Sequence, residues 1–182
     1  MSEFQEEIVA QRTVFQGRKF TVVERDIQVT PDKVVTWEVL DKGWDSVAIV
    51  AIDDERKVHL VEEYFGGTNE RTLCLPKGKI DPGETPLQAA GRELREEIGL
   101  GGKLSHLGTF SVSPGYLTQR TVLFLATELY PDALEGDEVQ FIQPTVLSLD
   151  TAVQMCLGGE ITEARTIAAL LMAVQLETTE TR

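Results

Sequence analysis

Five residues in one short stretch have the types and spacing to do chemistry: Arg92, Glu93, Glu96 and Glu97, with Glu84 a little upstream. On a helix turning about 100° per residue, Glu93, Glu96 and Glu97 fall within an arc of roughly 100°. Glu93 and Glu97 stand at i,i+4, where like charges repel by a few tenths of a kcal/mol. Leu87, Ala90, Leu94 and Ile98 form the adjacent apolar stripe, which would face a core. Acids bunched at the edge of such a stripe suit a hard, oxygen-preferring cation, Mg²⁺ better than Zn²⁺. The plain alternative is a solvated charged helix with an Arg92–Glu96 surface ion pair, which leaves the Glu93–Glu97 repulsion without a purpose.

The elements that must position these acids are well signalled. Thr85 reads as an N-cap, Pro86 takes the first helical position, and Gln88 completes a capping box. Gly99 ends the helix. Upstream, Thr13 to Leu40 reads as an antiparallel ribbon of two or three strands turning at Pro31-Asp32, preceded by a polar segment over residues 1–12 that is frayed or loosely packed. Trp37 and Trp44 are candidate stacking surfaces there. The apolar run Ser46 to Ile52 predicts a strand covered on both faces, with a hairpin partner over Lys57 to Tyr64 and a short strand over Thr72 to Leu75. Beyond the helix, strands are predicted over Leu104–Val112, Thr121–Tyr130 and Val139–Leu149, then helices over about 150–157 and 160–175. Pro144 marks the last strand as irregular or an edge. The expected architecture is a mixed sheet with helices on both sides, preceded by the ribbon (residues 1–42) and contained in residues 43–182.

Composition bounds the rest. The 182 residues suffice for a substantial core, and 42% hydrophobic with 26% charged residues is ordinary for a globular protein. A net charge of −13 argues against nucleic acid as a bulk partner, though not against a phosphorylated small molecule bridged by a cation. No apolar run approaches a membrane span, and the acidic start lacks a signal peptide's apolar core, so no membrane association is expected. Cys74 and Cys156 lack metal-ligand spacing and read as buried free thiols of a cytoplasmic protein. His59 and His106 fall in strand-like segments and read as structural.

The stretch Gly78 to Leu100 matches the Nudix box, Gly-x5-Glu-x7-Arg-Glu-U-x-Glu-Glu-x-Gly-U with U aliphatic. Its fixed letters fall on Gly78, Glu84, Arg92, Glu93, Glu96, Glu97 and Gly99, a coincidence on the order of one in a million by chance. The chain therefore resembles the Nudix hydrolases, which implies an α/β (α+β) fold of the Nudix α/β/α sandwich type. The resemblance implies water-driven cleavage of a nucleoside diphosphate linked to another moiety, with Mg²⁺ or Mn²⁺. It makes Glu93 and Glu97 the leading metal ligands, with Glu96 a further one, Glu84 in support and the Lys77 carbonyl lending a main-chain oxygen. Arg92 would orient the carboxylates. The general base is implied in a downstream loop, Glu138 first and Glu135 second, with Asp137 a further contact for metal.

Ser113-Pro114-Gly115 places a proline fifteen residues after Gly99 and resembles a marker of the ADP-ribose pyrophosphatases. Segments around Lys77–Glu84 and Leu129–Glu138 resemble bacterial hydrolases of ADP compounds and nucleoside-diphosphate sugars. Pro114, Gly115, Tyr116 and Trp37 are thereby candidate substrate contacts. One departure stands out: many ADP-ribose pyrophosphatases carry an arginine after Glu-x-Tyr, where this chain has Phe65, and Arg71 is the candidate replacement. The substrate expected is ADP-ribose or a related nucleoside-diphosphate sugar such as GDP-mannose. Dinucleoside polyphosphates, hinted by Tyr116, or NADH, and a non-catalytic ADP-ribose sensor are the alternatives. The family further implies a homodimer formed through the ribbon.

Overall fold

The computed structural model describes residues 4–136 and 142–180, the last four of these as helical main chain. Its contacts divide it into two units, residues 1–45 with 111–120, and residues 46–110 with 121–182.

The first unit is an antiparallel sheet of β1 (Glu7–Gln16), β2 (Thr21–Thr30) and β3 (Lys33–Asp41). The polar segment expected to fray or pack loosely supplies the first part of β1, a strand whose residues are all exposed. Arg12 pairs across the ribbon with Glu24 and, at 2.8 Å, with Asp26, and Arg25 Nε donates to Gln11 Oε1 at 2.8 Å. Cross-strand pairs of this kind stabilise a sheet where no core covers it. The turn over Ser113–Leu117 is stitched to β3, with Leu40 N–H donating to Tyr116 O and Thr118 N–H to Leu40 O.

The second unit is built on a mixed sheet in the order β10 (Gln143–Ser148), β5 (Lys57–Phe65), β4 (Ser46–Ile52), β9 (Arg120–Pro131) and β8 (Leu100–Ser111). Two short strands complete it: β6 (Glu70–Cys74) on β5 and β7 (Lys77–Lys79) on β4. Every residue of β4 is buried, as a continuous apolar run requires. Val47, Ile49 and Ala51 pack on Ala89, Ala90 and Leu94 of α1 (Pro86–Ile98). The alternate residues Ala48, Val50 and Ile52 pack towards α2 (Leu149–Gly158) and α3 (Ala164–Glu180). The sandwich of helices about a mixed sheet is therefore as expected, and β10 with its Pro144 lies at an edge. At the start of the parallel β4–β9 ladder, Ser46 faces Thr121, and their buried hydroxyls are hydrogen-bonded at 2.8 Å.

The edge of β4 opposite β9 is shared. Its last residues pair with β5 (Ala51 with His59, Ile52 with Val58), and its first three pair with β7 (Ser46 with Lys79, Val47 with Gly78, Ala48 with Lys77). The parting of β5 from β4 thus lets the Lys77–Gly78 main chain enter the sheet against α1.

Helix α1 begins and ends as its sequence dictates. Thr85 caps it and Gln88 answers, closing the capping box, an arrangement worth about 1 kcal/mol. Gly99 takes the left-handed conformation at φ 71° and its N–H bonds Leu94 O. The apolar stripe differs in one place. Leu87, in the first turn, is exposed, and Ala89 joins Ala90 and Leu94 in the core.

Candidate metal-assisted active site

Two carboxylates of α1 converge on the main chain of β7. Glu97 Oε2 accepts from the Lys77 N–H at 2.9 Å. The Glu93 carboxylate lies against Gly78 so closely that a Cβ built there would stand 2.0 Å from its Oε1. Only glycine permits that approach. Both acids are about 95% buried, so the sheet and helix hold them away from bulk water.

Arg92 organises the outer acids. Its guanidinium donates to Glu84 at 2.9 and 3.0 Å, to Glu93 at 2.7 Å, to Glu96 at 2.9 Å and to the Lys79 carbonyl at 2.9 Å. A planar fork with five donors suits this role in a way an ammonium does not. Hydrogen bonding to Arg92 holds the Glu84 carboxyl below its ordinary range, and Arg92 itself is raised above its own. The i,i+4 like-charge pair is thereby offset on the Glu93 side.

On the Glu97 side, burial pushes the carboxyl up to about 8, Glu93 and Glu63 add to the rise, and the charge and N–H of Lys77 oppose it. A buried carboxylate with too little positive charge around it is the chemical complement of a divalent cation. Among the described residues no three acid, histidine or cysteine side chains already converge as a ligand cluster. Arg92 accounts for this, because Glu84 and Glu96 are turned onto its guanidinium. The side chains left to receive a cation are therefore the Glu93–Glu97 pair, hard oxygen ligands that fit Mg²⁺ or Mn²⁺.

Glu135 is exposed in the loop after β9, and Asp137 and Glu138 lie outside the described residues. Arg71 is engaged with Glu62, its Nε 3.1 Å from Oε2 and its Nη2 3.0 Å from the carbonyl. Trp37 is exposed on β3, and Pro114, Gly115 and Tyr116 are exposed in the turn of the first unit. Lys42 Nζ stands 4.6 Å above the Trp44 ring in that same unit.

Sequence reasoning missed the side chains of Lys77 and Glu63. The Lys77 ammonium is buried and donates to Glu63, with Cys74 Sγ 3.3 Å away and the Phe65 ring 4.9 Å away. The signal was the phase of β5, where Glu63 alternates with Val61 and Phe65 and so shares their face. A half-buried acid, Glu163, accepts from Thr166 N–H and Arg165, and the Thr166 hydroxyl in turn accepts from Leu75 N–H. That cluster fastens the start of α3 to the strand leading into the site.

Residues 43–170 match the NUDIX domain family. The chain belongs to the Nudix family of pyrophosphohydrolases. It is 34% identical over 162 residues to ADP compounds hydrolase NudE of Escherichia coli, covering 88% of this chain and 87% of that one. It is 31% identical over 174 residues to the ADP-ribose pyrophosphatase of Bacillus subtilis, covering 93% of each. A crystal structure of an ADP compounds hydrolase superposes with a TM-score of 0.89 at 31% identity, over 99% of this chain and 98% of that one. The family match thus takes in the whole box, and the box assigned from sequence is the segment whose acids converge on β7. Among the described residues, no helix is long and apolar enough to cross a membrane.

Proposed function

We propose that this Nudix enzyme is a Mg²⁺-dependent hydrolase of the pyrophosphate bond in ADP-ribose and related nucleoside-diphosphate sugars. It releases a nucleoside monophosphate and a sugar phosphate. The observation that carries this reading is the convergence of Glu93 and Glu97 on the Lys77–Gly78 main chain, one of them over a glycine with no room for a Cβ. The names of the relatives, hydrolases of ADP compounds and of ADP-ribose, support the substrate class.

In this reading Glu93, Glu97 and the Lys77 carbonyl hold the cation, with Glu96 able to join them. A bound Mg²⁺ or Mn²⁺ neutralises the diphosphate and acidifies an attacking water. Arg92 keeps the carboxylates of Glu84, Glu93 and Glu96 in fixed orientation. Glu138, with Glu135 as second candidate, receives the water's proton. Trp37 and the turn of Pro114, Gly115 and Tyr116 offer surfaces for the base and sugar, and Arg71 a charge for phosphate.

Purified protein with Mg²⁺ is expected to release AMP from ADP-ribose faster than it turns over GDP-mannose, diadenosine polyphosphates or NADH, with products identified by chromatography. Preference for the last two would displace the substrate assignment, and metal-dependent binding of ADP-ribose without turnover would replace the enzyme by a sensor.

The proposed assembly is a homodimer through the first unit, supported by Ile8, Val14, Phe15, Val34 and Trp37, all exposed on its strands. Sedimentation equilibrium is expected to give twice the 20.2 kDa chain mass. A monomer at micromolar concentration would contradict it. Cytoplasmic placement fits the two buried, unbridged thiols, Cys74 and Cys156.

A further inference from the structure

Lys77 reaches two acids at once. Its main-chain N–H holds Glu97 at 2.9 Å, and its side chain, 8% exposed, ends in an ammonium bound by Glu63 of β5. The ammonium is thus a cation stored beside the Glu93–Glu97 pair, on a flexible four-carbon stem whose root already touches Glu97. A buried ammonium without a carboxylate is strongly disfavoured, so one deprived of Glu63 takes the next acid in reach. That acid is Glu97, which already accepts the Lys77 main-chain N–H at 2.9 Å and whose charge also acts on the ammonium. An ammonium seated on Glu97 stands where a divalent cation would bind and repels it.

We propose that Glu63 is a positioning residue for the metal site: by holding the Lys77 ammonium on β5, it keeps this internal cation from occupying the Glu93–Glu97 pair. Glu63 acts through Lys77, and its role is to leave the two box acids available. The inference rests on Glu93 and Glu97 being the metal ligands. An ordinary structural ion pair would behave differently. Loss of either partner would weaken the site in step with stability, and loss of both would restore nothing specific to metal.

Mn²⁺ binding to the full chain, followed by the loss of the free-ion electron paramagnetic resonance signal, tests the inference without any turnover. Glu97→Gln is the control for the reading beneath it: wild type that does not bind Mn²⁺, or Glu97→Gln that binds it equally well, sinks the metal assignment itself. With that control in order, Glu63→Gln is expected to raise the Mn²⁺ dissociation constant by about tenfold or more. Lys77→Met keeps the main chain and removes the ammonium, so it is expected to bind Mn²⁺ at least as tightly as wild type. The double variant Glu63→Gln/Lys77→Met is expected to return to within about threefold of wild type. Unchanged affinity in Glu63→Gln, or a double variant as weak as Glu63→Gln, overturns the proposal. Should Glu63→Gln fail to fold, Lys77→Met decides alone, since weaker Mn²⁺ binding there is incompatible with an ammonium that competes.

Discussion

Alanine at position 78 is expected to lower kcat by about a hundredfold or more while the protein remains folded. The new Cβ would stand 2.0 Å from Glu93 Oε1, 2.1 Å from its carboxyl carbon and 2.4 Å from Oε2, all far inside contact distance. The strand around Gly78 cannot yield easily, because it is paired with Val47 in the middle of a three-residue ladder. The Glu93 side chain is the part that can move. Its displacement by an ångström or more takes a ligand out of position and breaks its 2.7 Å bond from Arg92. Since the clash is relieved at the end of a flexible side chain, thermal unfolding should shift little. Gly66→Ala is the matched control, a glycine with open space where its Cβ would go, and should leave turnover unchanged. A Gly78→Ala enzyme within threefold of wild type at saturating Mg²⁺ would show that Glu93 need not lie there.

Glu97→Gln is expected to move activity and metal-free stability in opposite directions. Turnover with Mg²⁺ should fall by about a thousandfold, as the loss of a metal ligand in metal-assisted hydrolysis implies. Stability follows from burial, which lifts the Glu97 carboxyl from its ordinary 4.5 to about 8 in the folded chain. Between those values the folded protein retains a proton that the unfolded chain has released. The contribution of Glu97 to stability is therefore fully present below about pH 4.5 and is lost as pH rises through about 8. Glutamine resembles the protonated acid and does not titrate. At pH 8 the metal-free variant should therefore melt above metal-free wild type, and the difference should vanish near pH 5. A variant that melts lower at both pH values would contradict the assigned rise. The same linkage makes Mg²⁺ binding tighten with pH over this window, since the cation must displace the proton.

These two substitutions also separate what was legible in the sequence from what was not. The acid triad, the Thr85–Gln88 cap and the Gly99 stop are local in sequence, and local periodicity places them correctly. Leu87 shows where periodicity fails, for it has the right phase on the helix yet stands too near the end to be covered. Residues 7–12 read as frayed or loosely packed because their side chains look solvated, and only the opposite strand reveals Glu24, Asp26 and Arg25 as partners of Arg12 and Gln11. Lys77 and Glu63 are separated by thirteen intervening residues, and the parting of β5 from β4 brings them together, which no window along the chain can display. The turn at Pro114 was legible as a motif, whereas its attachment to Leu40 is a tertiary fact. The base is hardest to place, because a loop acid carries neither periodicity nor a cap to fix its position.

The buried hydroxyl pair of Ser46 and Thr121 bears on how the chain avoids misfolding. Strand β4 is apolar on both faces, so sliding it by one residue along β9 would exchange two greasy surfaces for each other at little cost in burial. Hydrophobicity alone therefore discriminates poorly between the native alignment and its nearest competitor. A slip would break the buried bond between the two hydroxyls, at a net cost of about 1 kcal/mol. The first rung of the ladder thus acts as an index mark, and the alignment it sets is the one that brings Val47 to Gly78 beneath the acids.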